Sequence, residues 1–184
     1  RPRVAPVKAD TDRLLRAHRR RPLARRADFP HAVDLGREEL ERMIPHREPF
    51  LLVDRIEAVD LENERILGVR RIEADDAVFR GHFPGEPVYP GSLQLEMAGQ
   101  LSLCLAYFTT HRTVKVNGDL QAPPVRITRV LGAYFVHPVP PGTEVTLLAS
   151  RIDGDEFFSR ALLQTTIEDS VCCTAVIEVC FPTT

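Results

Sequence analysis

Residues 92–109, SLQLEMAGQLSLCLAYFT, contain no proline and one glycine, and their apolar side chains fall on every side of a helical wheel. A helix that is apolar all round has no face to offer water, so the rest of the chain must enclose it. Its polar members are not scattered. Ser92, Glu96 and Gln100 stand at i, i+4 and i+8 and form one stripe. The spacing predicts a buried helix with one polar face, and that face carries a carboxylate.

The flanking sequence supplies the covering layer. GREELERMI (36–44) places Leu40, Met43 and Ile44 at helical spacing ahead of Pro45, which predicts a short helix. Phe50–Asp60 and Arg65–Glu73 are β-rich runs separated by the polar residues 61–64, a hairpin pattern. After a loop over about 110–124 come four more β-type segments: 126–137, 143–152, 156–167 and 171–180. Pro140-Pro141-Gly142 precedes the second, and Asp153-Gly154 marks a tight turn between the second and third. The expected fold class is α+β, an antiparallel sheet wrapped around one long central helix. The 184 residues suit a single domain, taken as 37–182. Residues 1–36 read as a basic N-terminal extension, expected to be poorly ordered, in which only Leu14 and Leu15 suggest a helical turn. The chain begins at Arg1 rather than Met, as expected of a processed, trimmed or excised fragment.

Charge is unevenly distributed. Residues 1–28 hold ten basic residues against three acidic ones, a local charge of +7 that leaves −9 for the remainder of a chain whose total is −2. The basic segment has no interleaved aromatic residues and no nucleic-acid-binding motif follows it, so nucleic acid is not the expected partner. No apolar run reaches the roughly 20 residues of a membrane span, and the N-terminus lacks the apolar core of a signal peptide. Cys104, Cys172, Cys173 and Cys180 show no metal-ligand spacing and read as free thiols of a reducing compartment, which makes the cytoplasm the expected location.

Chemistry concentrates in GHFPGEPVYPGSLQLEMAGQ (81–100). His82 lies in a Gly/Pro-rich turn and Glu96 lies in the apolar run fourteen residues later, so together they form a candidate acid/base pair. With HREPFLLVDR (46–55) and YFVHPVPPG (134–142), three separated motifs in order resemble the β-hydroxyacyl-acyl carrier protein dehydratases of the hot-dog fold, over about residues 38–180. The resemblance implies that His82 and Glu96 catalyse dehydration. It implies a homodimer whose sites each draw the two residues from different subunits, and in many members a trimer of such dimers. It also implies an acyl carrier protein as partner, with the substrate held on its phosphopantetheine arm.

Elementary chemistry agrees. Dehydrating a 3-hydroxyacyl thioester needs a base for the C2 proton and an acid for the C3 hydroxyl. Imidazole exchanges protons near neutral pH and suits the first task. Burial among apolar side chains disfavours the charged form of Glu96 and would keep a proton on it for the second. Gly91, at the expected helix N-terminus, would let a thioester carbonyl approach free backbone N–H groups. Phe83, Gly91, Ser92 and Gln100 complete the candidate substrate-binding set. Gln100 is read chiefly as the residue that orients Glu96 through a hydrogen bond, and Ser92 as a helix cap or a hydroxyl in the site. His46 is expected to fix the loop after the short helix, and His18, His31 and His111 to lie at the surface. The Tyr89–Pro90 bond is expected to be cis.

No metal, nucleotide or flavin motif is present, and the reaction needs no cofactor because the thioester itself acidifies C2. Two departures from the family pattern, Ser92 after the second Pro-Gly and Val136-His137 in place of basic residues, suggest a specialised member serving fatty acid or polyketide biosynthesis. Two alternatives remain at this point. One is an acyl thioesterase of the same fold, disfavoured by His82. The other is a non-catalytic carrier-binding subunit, disfavoured by the intact pair.

Overall fold

The apolar stretch forms one 21-residue helix, Gly91–His111. The computed structural model describes residues 7–122, 124–155 and 157–181. In chain order these form α1 (Val7–His18), β1 (His31–Leu35), α2 (Arg37–Met43), β2 (Arg55–Asp60), β3 (Arg65–Arg71), α3 (Gly91–His111), β4 (Arg126–Phe135), β5 (Glu144–Gly154), β6 (Phe158–Ile167) and β7 (Ser170–Cys180). The strands make one antiparallel sheet in the order β1-β2-β3-β5-β6-β7-β4. Helix α3 packs against its inner face, over β3, β5, β6 and β7.

The core is the contact between that helix and the sheet. Met97, Leu101, Cys104, Tyr107 and Phe108 are fully buried, together with Ile56, Ile66, Leu147, Ala149 and Ile177 from the strands. Each large side chain so buried contributes about 1.5–3 kcal/mol. Register shifts in β2, β4 and β5 give the sheet the irregularities by which strands bend and twist. Gly68 in β3 marks a close approach of helix and sheet, because a Cβ there would sit 3.0 Å from Leu101 Cδ1 and 2.8 Å from the Arg55 carbonyl oxygen.

The expected α+β architecture and its order of elements are present. Three local expectations changed. The first β run starts at Arg55 rather than Phe50, because the Phe50 carbonyl and the Leu52 N–H bond to the Gln100 side chain instead of to a strand. The turn after β5 lies beyond Asp153-Gly154: Gly154 still pairs with Ser159, and Asp155 N–H closes the turn on the Phe158 carbonyl at 2.8 Å.

The third change concerns the N-terminal segment, expected to be poorly ordered. Its described part packs on the sheet. Helix α1 crosses the outer face, where Leu15 joins buried Leu162 and Val176, and β1 pairs with β2. Gly132 of β4 leaves room for this helix, since a Cβ there would meet Leu15 Cδ1 at 2.7 Å. Leu15 alone is a weak signal in sequence. Its partners lie about 150 residues downstream and become visible only once the sheet exists.

Candidate active site

His82 is held by its loop at three points. A short 3-10 turn, Ala77–Arg80, is capped by Asp76, whose Oδ1 accepts from Val78 N–H at 2.9 Å. His82 N–H then donates to the Val78 carbonyl, and the His82 carbonyl accepts from Val88 N–H, each at 3.0 Å. The ring completes the set, with Nδ1 lying 2.8 Å from the Val88 carbonyl oxygen. A carbonyl can only accept, so Nδ1 carries the hydrogen and the neutral ring keeps its lone pair on Nε2. The intervening residues reverse through Gly85, whose φ of +85° is one that residues with a side chain rarely adopt. Phe83 stacks on the imidazole at 4.0 Å between centroids and is largely exposed.

The chain leaves this loop through Tyr89, buried edge-on against Phe79 and donating its N–H to the Val139 carbonyl at 2.8 Å. The Tyr89–Pro90 bond is trans, against expectation; the cis bonds among the described residues are Glu48–Pro49 and His82–Phe83. With Tyr89 anchored to Val139, the trans chain runs directly into Pro90, which is itself the N-cap of α3. Ser92 therefore does not cap the helix, and it is exposed in the first turn. Gly91 has a close neighbour of its own: a Cβ there would lie 2.6 Å from the Phe135 ring.

One turn into α3, Glu96 is only partly covered, with 29% of its side chain exposed in the single chain. Full burial among apolar groups, expected from the helical wheel, is not what this chain provides alone. What it provides is fixed orientation. Gln100, buried, donates from Nε2 to Glu96 Oε1 at 2.9 Å and to the Phe50 carbonyl at 2.9 Å, while its Oε1 accepts from Leu52 N–H at 2.8 Å. The Leu52 and Phe50 bonds dictate which end of the amide faces Glu96. Oε1 of Glu96 is thus an acceptor, and Oε2 is the oxygen left free.

His46 was expected to secure the loop after α2. Arg47 does that instead, donating to the carbonyls of Glu41, Ile44 and His46 at 2.7–2.9 Å. His46 turns inward, stacks against Phe50 and brings Nε2 to 3.6 Å from Glu96 Oε1. Its place beside Glu96 is not part of the sequence expectation, although His46 opens the HREPFLLVDR motif. Within one chain His46 is the histidine that meets Glu96, and His82 makes neither an ion pair nor a hydrogen bond with it. Of the remaining histidines, His31 is exposed and His111 is half-buried and bonded to the Gln121 carbonyl. His18, the last residue of α1, is half-buried rather than at the surface, and burial lowers its pKa.

Residues 44–171 match the family described as the FabA-like domain. A protein of Campylobacter jejuni named 3-hydroxyacyl-(acyl-carrier-protein) dehydratase FabZ is 41% identical over 104 residues, which is 56% of this chain and 68% of that one. One of the same name from Magnetococcus marinus is 35% identical over 144 residues, 76% of this chain and 87% of that one. Among solved structures, a thioesterase mutant from Pseudomonas aeruginosa shares the fold with a TM-score of 0.55 at 17% identity, over 83% of this chain and 96% of that one. Backbone likeness extends to a protein named for another activity, whereas the sequence relatives carry the dehydratase name.

Proposed function

The chain belongs to the FabA-like family, and we propose that it is a 3-hydroxyacyl-acyl-carrier-protein dehydratase that forms the trans-2-enoyl thioester in fatty acid or polyketide biosynthesis. The observation that carries this is the Val88 carbonyl bond to His82 Nδ1, which leaves Nε2 free to act as a base. His82 Nε2 removes the C2 proton, the C2–C3 double bond forms, and the C3–O bond breaks. Glu96 Oε2 delivers its proton to the departing hydroxyl, which leaves as water. Negative charge that develops on the thioester oxygen faces the free N–H groups at the start of α3, near Gly91.

The substrate arrives on the phosphopantetheine arm of an acyl carrier protein, and the reaction draws on no cofactor. The site is completed in a homodimer, with His82 from one subunit and Glu96 from the other. Supporting this, the two residues do not meet within one chain, and β4 is an edge strand that exposes Ile127, Val130, Tyr134 and Phe135. An exposed apolar edge is one that other chains cover. A partner there would also exclude water from Glu96. Free cysteines, three of them buried, suit a cytoplasmic location. Among the described residues no helix is long and apolar enough to cross a membrane.

Incubation with a panel of 3-hydroxyacyl carrier thioesters, read by mass spectrometry, tests the assignment. A product 18 Da lighter and still bound to carrier is expected. Release of free 3-hydroxy acid would identify a thioesterase instead, and no turnover across the panel would leave a carrier-binding subunit.

A further inference from the structure

The turn that follows α1 is built around one buried side chain. Gln164, fully buried on β6, donates from Nε2 to the carbonyls of His18 at 2.6 Å and Arg21 at 3.0 Å, and its Oε1 accepts from Leu23 N–H at 2.6 Å. Both amide hydrogens and the carbonyl are thereby engaged. These bonds bracket Arg19, Arg20 and Arg21, all exposed. Of the arginines around them, Arg13 pairs with Asp10, Arg25 with Asp169 and Arg26 with Glu57, whereas Arg16 donates to the Asp12 carbonyl. Among the described residues, none of the triplet pairs with a carboxylate. Three adjacent like charges repel one another, and the one internal contact that offsets this among the described residues is that of Arg19 with the Tyr134 ring.

Their position gives them a use. The Arg19 guanidinium lies 5.9 Å from the centre of the Tyr134 ring. The next residue, Phe135, is the one whose ring lies against Gly91 at the start of α3. Arg19, the first of the triplet, thus stands over the end of β4 that borders the candidate active site. Elsewhere the chain carries net negative charge, −9 beyond residue 28, so an acidic partner would be repelled by most of the surface and attracted here.

We propose that Arg19, Arg20 and Arg21 form the docking surface for the acidic face of the acyl carrier, a proposal that rests on the dehydratase assignment. Electrostatic docking of this kind raises the rate of encounter and leaves the chemical step alone.

The test compares wild type with R19A/R20A/R21A, using R13A as a control from the same helix. At low ionic strength the triple variant should raise KM for the carrier-bound substrate roughly fivefold or more, with kcat unchanged. Turnover of a pantetheine thioester, which lacks the carrier, should be unaffected in both variants. The difference should close as salt shortens the Debye length from about 30 Å at 10 mM to about 3 Å at 1 M. Calorimetric titration with the carrier lacking an acyl group reads docking without catalysis, and there the triple variant alone should bind more weakly. Unchanged KM and unchanged carrier affinity at low salt would overturn the proposal. So would loss of binding to phosphatidylglycerol vesicles with carrier affinity intact, which would assign the triplet to a membrane surface. If wild type binds the carrier through the triplet but dehydrates nothing, the dehydratase assignment fails while the docking surface stands.

Discussion

Gln100 donates a hydrogen bond from Nε2 to Oε1 of Glu96, one turn apart on α3, and cannot reverse its amide without breaking two further bonds, to Phe50 and Leu52. The proposed acid, Glu96, is thus oriented by a glutamine whose own orientation is set by a distant loop. Sequence spacing puts Glu96 and Gln100 on one stripe, and the loop decides which oxygen of the glutamate stays free.

Replacing that glutamine separates orientation from stability. Gln100→Leu leaves the buried Leu52 N–H without its partner, at about 1–3 kcal/mol, so the melting temperature should fall by several degrees. Gln100→Glu keeps the shape but sets two carboxyl groups one turn apart and loses the obligatory donor. Its kcat should fall by about tenfold or more with KM little changed. A variant with wild-type kcat would show that Gln100 serves packing only.

His82→Ala and Glu96→Gln should each lower dehydration at least about a hundredfold with the circular dichroism spectrum and melting temperature preserved. Both side chains are partly exposed in the single chain, so neither truncation opens a cavity in its core. Mixing the two inactive variants should restore part of the activity after subunit exchange. Demonstrated exchange without recovery would place the whole site within one chain.

Acid should unfold the protein partly through Asp60. Burial raises the pKa of this nearly inaccessible carboxylate, but the Arg65 guanidinium and two bonds from Asn63 outweigh it, and the net shift is downward from 3.8. A pKa depressed on folding contributes stability above the unfolded value, and that stability is lost as pH falls through the folded one. Asp60→Asn should therefore cost about 3 kcal/mol at pH 7, measured by urea unfolding. The difference from wild type should begin to shrink below pH 3.8. A difference independent of pH down to about 2 would mean that the charge of Asp60 is not what matters.

Thiol labelling should be selective. Burial pushes the Cys104 thiol well above the ordinary range, raises that of Cys172 and pushes Cys173 up to about 12. Alkylation needs the thiolate and access to it. Native protein at pH 8 should take up one equivalent of iodoacetamide, located at the half-exposed Cys180 by peptide mapping. Labelling at Cys104 without denaturant would require opening of the helix–sheet core.

Much of this molecule is local and therefore legible. The central helix follows from an apolar wheel that only a covering sheet can satisfy, and the strands follow from β-rich runs between turn signals. The hairpin between β2 and β3 and the short α2 also follow from neighbours in the chain. His82 and Glu96 stand out because a histidine in a glycine-rich turn and a carboxylate in an apolar helix are each anomalous where they occur.

What was not legible involves partners far apart in sequence. Val88 sets the His82 tautomer across a turn, and Val139 anchors Tyr89 and leaves its bond to Pro90 trans. Phe135 fills the space over Gly91, and His46 reaches Glu96 across 50 residues. Most of all, the basic N-terminal segment reads as a loose arm. Its charges repel one another and its few apolar residues form no pattern, yet Gln164 and Leu162 hold its turn and helix against the sheet. Local pattern reports what a residue must avoid, which is water for the apolar and desolvation for the charged. Which particular group it meets depends on the assembled sheet, because only the tertiary fold brings residue 18 to residue 164.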